Sequence, residues 1–185
     1  RALRAGIPGS KIVYAGVGKT EEEIRYAIQS RILMLNVESR AELIEIDRIA
    51  GAMKRRAPIA LRVNPDIDPE THPYIATGLK THKFGIPIDS ALEHYRFAFR
   101  LKNIDVVGIH KHIGSQITKV APFVDALKRT LLLVDELNAS GINIRYLDIG
   151  GGLGIPYSDE TPPNPRELAR NIIPLLKGRE HLTLI

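Results

Sequence analysis

The chain has 185 residues, of which 44% are hydrophobic and 25% charged, and its formal net charge is +5. This composition is ordinary for a globular protein, and no apolar run approaches the roughly 18 residues of a membrane span. The absence of cysteine excludes disulfides, thiolate metal sites and a cysteine nucleophile within these residues. Basic residues are mixed with acidic ones rather than gathered in a stripe, so we expect no nucleic-acid binding.

Six β-branched runs alternate with segments of helical period. We expect strands over residues 11–17, 32–37, 58–64, 104–112, 142–149 and 182–185. The first two helices open at capping boxes, Thr20 with Glu23 and Ser39 with Glu42. The first of them is expected to end near residue 30, and later helices are expected over 90–101, 122–138 and 165–178.

This alternation predicts the α/β class, with a parallel sheet and helices outside it. Two architectures compete, a doubly wound sheet and a β/α barrel. The glycine fingerprint of dinucleotide-binding folds is missing after the first strand, which weakens the doubly wound alternative. A complete eight-fold barrel typically takes about 250 residues, so this chain is short for one.

Two long loops, 65–87 and 150–164, follow predicted strands. In a barrel, such loops form the catalytic face, and loops beyond about 12–15 residues are often functional. The first loop holds Asp66, Asp68 and Glu70, which lack the glycine and distal glutamate of a calcium loop and are interpreted as turn residues. It also holds Lys83, either a ligand contact or a solvated charge.

The second loop opens with Gly150, Gly151 and Gly152, directly after a strand. Adjacent glycines let backbone N–H groups surround an anion without interference from Cβ atoms. Barrels of this class often bind phosphate near their last strands. We therefore expect an anion-binding loop, with a tight mobile turn as the alternative.

The strand predicted over 104–112 ends in His110 and His112, whose spacing places both side chains on one face. The two rings could hold a metal ion, or they could be hydrogen-bonded core residues. Alternatively, one ring could lie flat against a planar cofactor while Ser115 and Gly114 meet its phosphate. The metal hypothesis is weaker, because a catalytic zinc usually needs three protein ligands and the only later histidine is His181.

Arg62 lies between apolar neighbours inside the strand predicted over 58–64. A charged side chain is rarely buried there without a partner. It is expected either to form an ion pair across the barrel or to point inward, near a ligand.

Several short motifs together resemble one family. The chain is similar to the pyridoxal-phosphate barrel of the diaminopimelate decarboxylases, within the alanine-racemase-like barrel superfamily. His-Ile-Gly-Ser-Gln, Asn-Pro-Asp and Thr-His-Pro-Tyr fit this family better than the ornithine or arginine decarboxylases. The matching stretches are 11–14, 36–39, 62–65, 71–75, 77–78, 83–85, 112–116 and 147–154.

The resemblance implies pyridoxal 5′-phosphate as cofactor and a role for each matching residue. His112 would stack on the pyridine ring, and Arg62 would lie near it. Ser115 and Gly150, Gly151 and Gly152 would bind the phosphate. No metal is implied.

The resemblance also implies parts that these residues do not contain. The family's Schiff-base lysine lies on the first barrel strand, and neither Lys11 nor Lys19 corresponds to it. The family's Glu-Pro-Gly-Arg segment and its cysteine-bearing β domain follow the last strand. We therefore expect residues 1–185 to be one cofactor-binding barrel domain, incomplete at both ends, covering about strands three to eight and inactive alone, with no catalytic residue.

The implied activity is conversion of meso-2,6-diaminopimelate to L-lysine and CO2, in a cytoplasmic homodimer. Three alternatives stay open at this point: a related diamino-acid, arginine or ornithine decarboxylase, a non-catalytic homologue that binds the cofactor, and a metal-dependent barrel hydrolase using His110 and His112.

Overall fold

The computed structural model describes residues 1–67 and 84–185. In this part of the chain, short strands alternate with α-helices, as the sequence predicts. The strands are β1 (Val13–Tyr14), β2 (Met34–Val37), β3 (Ala57–Asn64), β4 (Ile86–Pro87), β5 (Ile104–His110), β6 (Tyr146–Asp148) and β7 (Thr183–Leu184). The helices are α1 (Glu21–Gln29), α2 (Arg40–Ala52), α3 (Ile88–Arg100), α4 (Ala121–Ala139) and α5 (Pro165–Ile172).

The sheet settles the choice between the two architectures. Its strands lie in the order β1-β2-β3-β5-β6-β7, every neighbouring pair is parallel, and β4 pairs with β3 off this path. In a barrel each right-handed crossover leads to the next strand in the same direction, so all the helices lie on one face of the sheet. In a doubly wound sheet the strand order reverses partway, and helices cover both faces. The predicted fold class, a partial (β/α)8 barrel, is confirmed.

Several strands are shorter than predicted. The strand expected over 142–149 is reduced to β6 because its first residues pair with the end of α4 instead of the sheet. The N–H of Ile142 donates to the Leu137 carbonyl at 2.9 Å, and that of Ile144 donates to Asn138 Oδ1 at 2.9 Å. Both isoleucines are still buried. The β-branched pattern therefore predicted correctly that these residues are buried, but it predicted wrongly that they pair in the sheet.

The first two helices begin where expected, but their caps differ. Thr20 and Glu23 form the complete reciprocal box. Ser39 accepts from the Glu42 N–H, yet the Glu42 carboxylate accepts from the Glu38 N–H at 2.7 Å rather than from that of Ser39. Glu42 also pairs with Lys19 at 2.6 Å, which draws its side chain toward the loop after β1.

The last predicted helix divides into two parts. Helix α5 ends at Ile172, and a 3₁₀ helix follows over Ile173–Leu176. Pro174 explains the change, because its nitrogen carries no hydrogen to continue the α-helical pattern.

The hydrophobic core lies between the strands and the inner faces of the helices. It includes Ile59 and Leu61 of β3, Ile109 of β5 and Leu147 of β6, all fully buried. Within residues 1–67 and 84–185, no helix is long and apolar enough to cross a bilayer.

Part of the first long loop lies outside the described residues, including Asp68, Glu70, Lys83 and the motifs at 71–75 and 77–78. At its far end, Ile86–Pro87 form β4, and α3 follows directly, two residues earlier than predicted.

Candidate functional site

An open cleft of about 500 Å³ lies at the carboxyl ends of the strands. In a parallel α/β barrel this end of the sheet carries the functional loops. The cleft brings four of the six predicted binding residues, Arg62, His112, Gly150 and Gly151, together with the predicted His110, whereas Ser115 and Gly152 are not among its lining residues. Its lining residues are Val13, Ala15, Gly16, Asn36, Arg62, His110, His112, Asp148, Gly150 and Gly151.

Three polar side chains form a row across the floor of the cleft. Arg62 is the register partner of His110 on the neighbouring strand, and His110 is in turn the register partner of Asp148. Register partners in a sheet present their side chains to the same face. The row thus places a cation, an imidazole and a carboxylate side by side inside the curled sheet.

Arg62 combines the two roles that the sequence left open. Its Nη1 donates to Glu38 Oε1 at 2.8 Å, and both side chains are largely withdrawn from solvent. The same guanidinium lies 5.3 Å from the ring centre of Phe84 and lines the cleft. It is therefore paired at one edge and available to a ligand at another.

Asp148 ties the floor of the cleft to the glycine loop. One carboxylate oxygen, Oδ2, accepts from the Asn36 side-chain amide at 2.8 Å, and the other, Oδ1, accepts from the Gly150 N–H at 2.9 Å. His110 Nε2 lies 4.0 Å from Oδ2. This aspartate consequently fixes where the loop leaves β6.

His110 is a neutral histidine at physiological pH. Burial lowers its pKa to about 4, although Asp148 opposes that shift. Its Nδ1, together with Asn36 Oδ1 and Glu38 Oε2, is a buried side-chain atom without a hydrogen-bond partner among the described residues. Asn36 and His110 line the cleft, and Glu38 pairs with Arg62 beside it. Buried polar atoms are usually satisfied, so these unpartnered atoms indicate a polar ligand.

His112 lies just beyond β5, at the rim of the same cleft, as predicted from its spacing. It is half-buried, and burial, reinforced by Arg62 and Lys111, lowers its pKa. A neutral imidazole presents a flat face that is available for stacking.

The glycine loop needs glycine at two of its three positions, because each has a positive φ and faces a neighbouring carbonyl oxygen. Gly150 has φ +67°, and a Cβ there would lie 2.6 Å from the Lys111 carbonyl oxygen. Gly152 has φ +106°, and a Cβ there would overlap the Gly114 carbonyl oxygen. Gly151 has open space around it. The loop therefore lies directly against the segment that follows β5.

Several N–H groups in this region have no protein acceptor. In the described parts of the chain, the amides of Gly114, Ser115, Gly151 and Gly152 donate to no protein group, and neither does the Ser115 hydroxyl. The Gly150 amide differs, because it already donates to Asp148. Gly150 thus contributes its backbone conformation, while the other groups remain free to bind an anion.

Sequence reasoning did not single out Asn36, Glu38 and Asp148 as site residues. Each is a polar residue at or next to the end of an otherwise apolar strand. That pattern was the available signal, because inward polar positions at strand ends of a barrel face the ligand.

Among residues 1–67 and 84–185, no group of three or more histidine, aspartate or glutamate side chains could hold a metal ion. Lys19 is also fully engaged: its ammonium donates to the carbonyls of Gly16 and Asn36 and to Glu42, at 2.6–2.7 Å.

Comparison with known proteins identifies relatives over the whole chain. A family model described as the pyridoxal-binding domain of pyridoxal-dependent decarboxylases matches residues 1–185. Diaminopimelate decarboxylase of Vibrio cholerae is 52% identical over all 185 residues, which correspond to 44% of its length. The chain thus spans less than half the length of the curated relatives it matches.

Solved structures give the same picture. Diaminopimelate decarboxylase from Helicobacter pylori, complexed with L-lysine, is 42% identical with a TM-score of 0.92, covering 100% of this chain and 46% of that one. The arginine decarboxylase of a Paramecium bursaria Chlorella virus has a TM-score of 0.77 at 24% identity, covering 98% of this chain and 46% of its own. At that identity the likeness concerns the fold alone.

Proposed function

Because this chain belongs to the pyridoxal-dependent decarboxylase family, as its pyridoxal-binding domain, we propose that it forms the cofactor-binding part of a diaminopimelate decarboxylase. The reaction is removal of CO2 from meso-2,6-diaminopimelate to give L-lysine. Relatives of that name align over the full chain at about 50% identity. The domain proposed is residues 1–185, as one barrel domain.

The residues of the cleft fit pyridoxal 5′-phosphate. A phosphate needs several donors, which the Ser115 hydroxyl and the free amides of Gly151 and Gly152 offer. A flat ring needs an apolar or aromatic face, which the half-buried imidazole of His112 offers. The unpartnered polar atoms of His110, Asn36 and Glu38 suit the polar edge of that ring.

The proposed roles follow from these contacts. Ser115, Gly151 and Gly152 hold the phosphate, with Gly150 shaping the loop. His112 covers one face of the ring, and Arg62 supports its edge while Glu38 fixes the guanidinium. When bound, the cofactor supplies an electron sink for the electron pair left by the departing carboxylate.

The protein's own contribution here is binding and orientation. His110 stays neutral above about pH 5 because burial lowers its pKa to about 4, so it adds no positive charge next to Arg62. We assign no catalytic residue to this chain. Homodimer formation, cytoplasmic location and the absence of nucleic-acid binding remain predictions from the sequence.

The observation that carries the proposal is that a stackable histidine, His112, and a free anion donor, the Gly151 amide, line one cleft, with the other free donors in the same two packed segments. The test uses the complete product of the gene that encodes this chain, supplied with pyridoxal phosphate. We expect CO2 release from meso-diaminopimelate, and much slower release from arginine or ornithine. Faster release from either of those would favour a related decarboxylase, and bound cofactor without any CO2 would favour a non-catalytic homologue.

A matched pair of variants tests whether His112 contributes to cofactor binding. His112→Asn removes the proposed stacking ring, whereas His181→Asn changes an exposed histidine far along the chain. We expect weaker cofactor binding only in the first. Equal cofactor affinity in both variants would contradict the role given to His112. Sequencing the coding DNA on both sides of this chain would show whether it continues into a lysine-bearing strand and a cysteine-bearing β domain.

A further inference from the structure

Gln116 holds two loops together through its side-chain amide. Its Nε2 donates to the Ile155 carbonyl oxygen, and its Oε1 accepts from the Ile155 N–H at 3.1 Å. One side chain thus satisfies both backbone groups of a residue 39 positions away. Such reciprocal pairing has the geometry of a sheet contact, but it is made by a side chain.

The backbone of Gln116 is arranged to make this contact. The residue has φ +58°, in the left-handed region that non-glycine residues seldom adopt, and it is 7% exposed. The neighbouring Ser115 is exposed. The reversal leaves Ser115 exposed and turns Gln116 into the protein, at a conformational cost that the two hydrogen bonds offset.

Main-chain contacts join the same two loops at Gly152 and Gly154, before Ile155 in the glycine loop. The Ile117 N–H donates to the Gly152 carbonyl at 2.8 Å, and the Gly154 N–H donates to the Ile117 carbonyl at 3.0 Å. Gly152 also lies directly against Gly114. The segments 112–117 and 150–155 consequently form one unit, in which the Gln116 side chain extends the contact beyond Gly154 to Ile155.

We call the two hydrogen bonds between the Gln116 side chain and the Ile155 backbone the Gln116 clamp. The clamp acts on a part of the glycine loop that has few other hydrogen bonds. Ile155 is exposed, and Pro156 follows it with no N–H of its own. Beyond Gly154, the Gln116 amide is therefore what holds the backbone of Ile155 against the segment after β5.

We propose that Gln116 is a positioning residue for the phosphate group of the cofactor. Gln116 holds the amides of Gly151 and Gly152 in place relative to Ser115, and it does not itself contact the phosphate. A cradle of donors binds an anion well only if the donors are held in place beforehand. This inference rests on the proposed function, because it assumes that the cleft binds a phosphorylated ring.

The test compares two ligands that differ only in the phosphate. Dissociation constants for pyridoxal 5′-phosphate and for pyridoxal are measured with the complete gene product and its variants. Gln116→Leu removes both hydrogen bonds at similar volume, and Gln116→Glu keeps the acceptor while losing the donor. Gln29→Leu, at an exposed glutamine near the end of α1, is the matched control.

We expect Gln116→Leu to weaken pyridoxal phosphate binding by about tenfold, the effect of one to two lost hydrogen bonds. Pyridoxal binding should change little, so the preference for the phosphorylated ligand falls. Gln116→Glu should lie between the parent and the leucine variant, and the control should match the parent.

The outcomes separate the two proposals. If the parent protein binds neither ligand, the proposed function fails. If the parent prefers pyridoxal phosphate and Gln116→Leu keeps that preference, the positioning role is overturned. A parallel loss for both ligands also overturns it, because a merely structural role would act that way. If Gln116→Leu does not fold, the Gln116→Glu variant is judged in the same way, by the ratio of its dissociation constants for pyridoxal and pyridoxal phosphate.

Discussion

The side-chain amide of Asn36 donates a hydrogen bond to the Asp148 carboxylate at 2.8 Å, across 112 positions of sequence. The second oxygen of the same carboxylate accepts from the Gly150 N–H at 2.9 Å. One side chain on β6 thus connects a buried strand residue of β2 to the first residue of the glycine loop. The position of the proposed phosphate site depends on this connection.

Removing that carboxylate should destabilise the protein. Asp148→Ala leaves the buried Asn36 amide without its acceptor, which costs about 1–3 kcal/mol, and it also removes the acceptor of the Gly150 N–H. Asp148→Asn keeps one oxygen for Gly150, and Asn36 can present its otherwise unpartnered Oδ1 to the new amide. Urea unfolding should therefore show a larger loss of stability for alanine than for asparagine. Equal losses would contradict the hydrogen-bond assignment.

The glycine loop offers a matched pair of substitutions. Gly152→Ala combines a φ of +106° with a Cβ that overlaps the Gly114 carbonyl oxygen, whereas Gly151→Ala meets nothing within 4 Å. We expect Gly152→Ala to lower the unfolding free energy by about 1–3 kcal/mol, typical of backbone strain, and Gly151→Ala to change it by less than about 0.5 kcal/mol. Unfolding in the absence of cofactor measures this difference. A similar effect of both substitutions would show that the loop does not pack against Gly114.

Lys111 is a buried lysine whose charge should weaken the fold. It is 1% exposed, its ammonium lies 5.6 Å from the ring centre of Phe123, and burial lowers its pKa to about 8. Because the folded pKa lies below the unfolded value of about 10.4, the unfolded state binds more protons between those values. The destabilisation is therefore complete below pH 8 and disappears as pH rises toward 10.4.

Lys111→Met should remove this penalty. We expect the methionine variant to be more stable at pH 7, by about 2–3 kcal/mol from the shift in pKa, and the gain to shrink at pH 10. Lys102→Met, at an exposed lysine, controls for the change in net charge. A gain of the same size at both pH values, or a loss of stability at pH 7, would contradict the effect of burial on Lys111.

The sequence predicted the class of the fold well because its signals are local. Capping at Thr20 and the β-branched runs located the elements, and their alternation implied a parallel sheet. The runs failed at Ile142 and Ile144, where β-branched side chains mark burial while their backbones bond to the end of α4. Local pattern cannot distinguish these two situations.

The sequence pointed to the glycines and histidines proposed for the site, but it did not show the contacts that connect them. Residue types indicated an anion at the glycine loop and a ring near His112. The pairing of Arg62 with Glu38, and the use of the Gly150 amide by Asp148, depend on strand register, which brings together residues far apart in sequence. The contact of Gln116 with Ile155 likewise requires a left-handed backbone at Gln116, and a glutamine in the sequence does not indicate that conformation.

A crystal structure of the complete gene product with pyridoxal 5′-phosphate tests the central claim most directly. We predict the phosphate within hydrogen-bonding distance of the Ser115 hydroxyl and of the Gly151 or Gly152 amide, with the ring against His112. A phosphate held elsewhere, with these donors bound only to water, would contradict the assignment of the cleft.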